Sequence, residues 1–121
     1  MYEFNGWAVV EAEVRTDSDD SELFDRVRAY VAALPEHTRE RVFLPDTILN
    51  GFHSLTVSGF RNHCDPEILW LFEWLAAQSR LCYGLLYVRN DEVHDVADVY
   101  RWRVWRLAGG EVTCHDDPFF G

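Results

Sequence analysis

Two triplets combine the residue types that ligate metals or form nucleophile–base pairs: His63-Cys64-Asp65 and Cys114-His115-Asp116. Zinc binding or Cys–His catalysis requires such side chains to converge in space. Neighbours on an extended chain point to opposite faces instead, and no CxxC or HxxxH spacing brings others in. The ordinary reading is that His63 and Asp65 cap a helix and fix a corner, while the cysteines pack. A small metal- or Cys/His-dependent hydrolase built on His63, Cys64 and His115 is the alternative reading. The chain also has no Gly-rich phosphate loop, no GxSxG and no basic-aromatic face for nucleic acid. The sequence therefore predicts a protein that is not an enzyme, with no catalytic residues, no metal and no cofactor.

Acidic residues are the stronger signal. Asp17, Asp19, Asp20, Glu22 and Asp25 form one cluster, Asp91, Glu92, Asp95 and Asp98 a second, and Asp116 with Asp117 a third. As general acid–base pairs they lack an apolar pocket to separate two pKa values. The stretch DSDDSELFD has neither the central glycine nor the terminal glutamate of an EF-hand loop. The first cluster precedes and opens a helix, where negative charge complements the macrodipole. The second falls in a loop, where that explanation is missing, so it is the better candidate for docking a basic partner. Of the five tryptophans, Trp7, Trp70 and Trp102 are expected in the core. Trp74 and Trp105 are expected as surface anchors beside charge. The predicted binding set is Asp91, Glu92, Asp95, Asp98, Asp116, Asp117, Trp105 and Trp74.

The composition fits that picture. A net charge of −10 argues against direct binding to nucleic acid or an anionic membrane. All eleven basic residues are Arg, which suits ordered bidentate contacts. Three cysteines at no recognisable spacing fit free thiols in a reducing compartment. MYEFNGW carries no basic or apolar signal region, so a cytoplasmic location is expected.

Elements that would position these residues follow from periodicity. The chain's 121 residues suit one domain, 1–121. Gly6 to Val14 alternates as a half-buried strand, with Ala8, Val10, Ala12 and Val14 on one face. An amphipathic helix runs from about Ser21 to Leu34 and ends at Pro35. Arg41 to Leu44 reads as a short strand, Asn50-Gly51 as a turn, and Phe52 to Phe60 as a strand. Asp65 caps a second helix with Pro66 at its first position. That helix is so apolar that cover on more than one side is expected, with Trp70 and Trp74 stacked along a flank. Leu81 to Arg89 reads as a strand buried on both faces and Asp98 to Leu107 as another strand. Gly109-Gly110 then forms a hairpin to Glu111–His115. Arg101 and Arg103 are expected to answer Glu11 and Glu13 across strands. The fold class is α+β: a mostly antiparallel sheet of about five to six strands with two helices packed on it.

NGWA near the start, LTVSGFRNH before the second helix, YGLLYVR after it and DDPF at the end keep a characteristic order and spacing. Together they resemble the immunity protein 7 family of bacterial polymorphic toxin systems, from about Tyr2 to Phe119. The resemblance implies an α+β cytoplasmic protein that binds a cognate toxin domain and blocks it. Many such toxins are nucleases, whose active sites carry positive charge for phosphate. An inhibitor of charge −10 would steer rapidly onto one.

Overall fold

A computed structural model describes residues 1–14, 16–45, 51–62, 65–91 and 101–121. Its nine elements are β1 (Tyr2–Val10), α1 (Asp17–Ala32), α2 (Glu36–Arg39), β2 (Val42–Phe43), β3 (His53–Arg61), α3 (Pro66–Gln78), β4 (Tyr83–Asn90), β5 (Trp102–Ala108) and β6 (Glu111–Asp116). The six strands make one antiparallel sheet in the order β2-β3-β1-β4-β5-β6. This is the expected α+β class, with one four-residue helix beyond the two expected.

Strand β1 lies inside the sheet, pairing with β3 through Ala8↔Leu55 and with β4 through Ala8↔Gly84. The approach to β4 is unusually close. A Cβ on Gly84 would stand 2.1 Å from the Trp7 carbonyl oxygen and 2.8 Å from the Ala8 Cα. At the far edge, Gly109 and Gly110 take φ of 61° and 80° between Ala108 and its partner Glu111. Two successive positive φ values define the two-residue hairpin turn whose twist matches the strands.

The core lies on one side of this sheet. Tyr2, Phe4, Ala8 and Val10 of β1, Leu55 and Val57 of β3, Leu86 of β4 and Leu107 of β5 are buried there. They pack with Leu23, Phe24, Val27 and Val31 of α1 and Ile68, Leu71, Phe72 and Leu75 of α3. Each large side chain taken fully out of water contributes about 1.5–3 kcal/mol. Helix α1 begins at Thr16, whose hydroxyl accepts the Asp19 N–H at 3.2 Å. Helix α3 begins as its sequence predicts: Asp65 accepts the Glu67 N–H at 3.2 Å and Pro66 takes the first position.

Several local expectations need correction. Helix α3 is covered on one side only, and Trp70 is 53% exposed on the other. Trp74 stacks on Tyr30 of α1, with centroids 4.6 Å apart and planes at 24°, and thus is tied across the helix layer. Trp7 is 39% exposed, because period two puts it on the face opposite Ala8 and the helices cover Ala8's face. Trp102 is half-buried, on the same uncovered face as Trp7. Strand β4 is correspondingly buried on one face, with Tyr83 exposed on the other. Strand β1 ends at Val10, which leaves Val14 exposed. Arg103 pairs with Asp116, directly opposite on β6, at 3.6 Å, while Glu13 takes Arg80. The Asn50 half of the expected turn lies outside the described residues.

Candidate functional site

The first acidic cluster is largely engaged in holding α1. The Asp19 carboxylate accepts the Thr16 hydroxyl at 2.5 Å, and Asp20 accepts the Ala12 backbone N–H at 2.7 Å. Asp25 pairs with Arg28 at 3.1 Å. A second polar site surrounds the start of α3. Buried Thr38 sets its hydroxyl 2.9 Å from the Asp65 carboxylate and 2.5 Å from that of Glu67. Ligand atoms of His37, Asp65 and Glu67 lie within 4.8 Å of one another. These carboxylates are already answered, with the Arg61 guanidinium 3.9 Å from Asp65 and His37 3.8 Å from Glu67. Arg41 and Arg61 line the same cleft, of about 520 Å³. Thr38 carried no signal in the sequence, since its partners lie 27 and 29 residues away.

The predicted binding residues distribute unevenly. Glu92, Asp95 and Asp98 lie outside the described residues, as do His63 and Cys64. Asp91 follows the end of β4, Asp116 is the last residue of β6, and Asp117 follows it. Pairing of Arg89 with Trp102 and of Arg103 with Asp116 puts all three at one end of the sheet. The corner into α3 lies at that end too, because Tyr2 pairs with both Asn90 and Arg61. Asp91 meets the Met1 amino group and lies 4.0 Å from Arg89. The hydrogen bond from that amino group holds its carboxyl below the usual carboxylate value. Asp116 is exposed. Asp117 is buried: its carboxylate accepts the Phe120 N–H at 2.9 Å, and its own N–H donates to the Trp102 carbonyl at 3.2 Å. Trp105, opposite Leu86, is half-buried against the core, as is Trp74.

Of the cysteine–histidine triplets, only the second is described. Cys114 and His115 point to opposite faces of edge strand β6, and the His115 ring meets the Thr113 hydroxyl at 2.8 Å. Cys82 is buried, its thiol donating to the Glu11 carbonyl at 3.7 Å, and burial raises its pKa. A buried protonated thiol is a poor nucleophile.

The face of the sheet away from the helices is the feature that sequence reasoning missed. Register aligns Phe43, Thr56, Trp7 and Leu85 in one cross-strand row, with Ser54, Val9 and Tyr83 beside it. Two rows further on lie Ser58, Asn5, Tyr87 and Val104, then Phe60, Glu3, Arg89 and Trp102. Phe43, Phe52, Phe60 and Tyr83 are exposed, and the rings of Trp7 and Tyr83 meet edge to face with centroids 5.8 Å apart. Between Phe43, Phe52, Val9 and Tyr83 lies an apolar groove of about 540 Å³. At the other side of the face, Phe119 and Phe120 close a second hollow with Tyr87 and Trp102. Alternation in β1 and β3 was the available signal, since it separates Trp7 and Phe60 from the buried set.

No helix among the described residues is long and apolar enough to cross a membrane. No curated protein and no solved structure matches the chain significantly. The sequence model of the family described as immunity protein 7 matches residues 1–121. The whole length is covered, which agrees with the order of motifs from NGWA to DDPF. The chain belongs to the immunity protein 7 family, and is thus an immunity protein of a toxin system whose partner is a toxin.

Proposed function

We propose that this protein binds a basic toxin domain of a polymorphic toxin system, a nuclease, and neutralises it in the cytoplasm as a stoichiometric inhibitor without turnover. The observation that carries this reading is the net charge of −10 in a chain of an immunity family. A nuclease active site is positively charged, so long-range attraction accelerates encounter and like-charged surfaces are rejected. The acids Asp91, Glu92, Asp95, Asp98 and Asp116 serve as the steering charges, with Trp105 and Trp74 as aromatic neighbours, while buried Asp117 holds the turn to Phe120. The position of Asp91 and exposed Asp116 at one end of the sheet supports this assignment.

Co-expression tests it. The toxin domain encoded beside this chain is produced in a sensitive host, and survival is scored with and without the protein. Rescue, with a one-to-one complex whose association slows steeply as salt rises, is the expected result. Absence of both rescue and binding overturns the assignment.

A further inference from the structure

We propose that the face of the sheet away from the helices, centred on exposed Trp7, Phe43 and Tyr83, is the contact core for the toxin, which seats an apolar protrusion there within a basic surround. This inference rests on the toxin-neutralising reading above.

Three observations lead to it. The first is composition. Across the six strands, the Asp, Glu and Arg side chains on this face are Glu3 and Glu111 against Arg89 and Arg106, which sum to zero. Glu3 and Arg89 also pair with each other at 3.3 Å. A surface depleted of net charge and rich in Trp, Tyr and Phe has the make-up of an interface core. The second is shape. The groove between Phe43, Phe52, Val9 and Tyr83 is concave and apolar, able to accept an inserted side chain.

The third observation selects the occupant. Among the described residues the net negative charge lies off this face, on the helices, in the segments that join them and at the end of the sheet that holds Asp91 and Asp116. A second copy would bring another net charge of −10, and the two molecules repel. A basic partner is attracted by the same net charge, while its apolar centre fills the groove. The arrangement is an aromatic face without net charge on a chain of net charge −10, complementary to a cationic protein and not to itself.

The test uses the full chain with the toxin domain encoded beside it. Trp7→Ser and Phe43→Ser are compared with Trp70→Ser, which removes a more exposed tryptophan from the outer side of α3. The expected result is that each face variant weakens the complex at least about 30-fold, the scale of a hot-spot residue. Trp70→Ser should bind as the wild type does. Hydroxyl-radical footprinting of the wild-type complex should protect Trp7 and Tyr83 and leave Trp70 reactive, which keeps the test decisive if a variant misfolds. Rescue by the wild type with Trp7 and Tyr83 unprotected overturns the proposed face while the immunity function stands. A wild type that neither rescues nor binds overturns both. Sedimentation of the protein alone as a dimer that Trp7→Ser dissociates would also overturn it, by giving the face to a second copy.

Discussion

The Tyr30 ring lies flat on the Trp74 indole, with centroids 4.6 Å apart, and this stack joins the outer flanks of α1 and α3. Both side chains also pack against the buried cluster beneath them. Such a pair contributes about 0.5–1.5 kcal/mol beyond the area it buries. Trp74→Ala should therefore lower stability by about 2–3 kcal/mol, less than a fully buried aromatic costs. Trp74→Phe should recover part of that loss. Urea unfolding of the two variants checks the order. Equal midpoints for wild type and Trp74→Ala would show that the stack is incidental.

Close approach of β1 and β4 makes a second prediction. A methyl group at position 84 would overlap the Trp7 carbonyl and the Ala8 Cα, which are backbone atoms that cannot rotate away. Gly84→Ala should cost about 1–3 kcal/mol or more by forcing two paired strands apart. Amide exchange should accelerate in β1 and β4 ahead of β6. A variant as stable as the wild type would mean that the two strands can separate at little cost.

Much of this architecture was legible before any coordinates, and the misses have identifiable causes. Local chemistry specified the caps: Asp65 and Pro66 start α3 because the signals are adjacent on the chain. Gly109-Gly110 likewise announces its hairpin within two residues. Alternation also sorted β1 into two faces from Ala8 onward, and the same period carried one residue back sets Trp7 opposite Ala8. What alternation omits is which face the helices will cover, and a large aromatic is easily given to the core. Helix α3 misled in the same way. An apolar helix suggested cover all round, whereas Trp70 stays exposed and Trp74 finds Tyr30, 44 residues earlier. The acidic end of the sheet depends on the pairing of β4 with β5 and β5 with β6, a register that no short stretch encodes.

Asp65 and Thr38 form the buried junction between α2 and α3. Asp65→Ala removes the cap on Glu67 and strips Thr38 of a buried acceptor. The loss should be about 1–3 kcal/mol. Asp65→Asn retains a capping oxygen and should cost less. Thermal unfolding of both variants decides the matter. If Asn and Ala are equally damaging, charge pairing with Arg61 matters more than the cap.

Asp116 and Asp117 are neighbours with different duties. The exposed pair of Asp116 with Arg103 contributes about 0–1 kcal/mol. Asp116→Lys should therefore barely alter folding. In the toxin complex it should slow association and flatten its salt dependence, with dissociation almost unchanged. Buried Asp117 instead holds the Phe120 turn, so Asp117→Ala should cost about 1–3 kcal/mol and loosen the C-terminal residues. Stopped-flow association and urea unfolding of both variants separate the roles. An unchanged association rate for Asp116→Lys would place the steering charges elsewhere.

Alkaline pH should weaken the fold through two groups. Burial raises the pKa of the Cys82 thiol. It does the same to the Tyr30 phenol, with the nearby Glu67 and Glu73 charges adding to the effect. Each group is neutral when protonated, and the folded chain holds that proton more tightly than the unfolded chain. Stability is thus complete below the unfolded values of roughly 8.5 and 10, and falls as pH rises through them toward the higher folded values. The melting temperature should hold level from pH 7 to about 8.5 and then decline. Cys82→Ala should flatten the first part of the decline and Tyr30→Phe the later part, whatever each does to the plateau. Identical slopes in wild type and both variants would assign the alkaline limb to other groups.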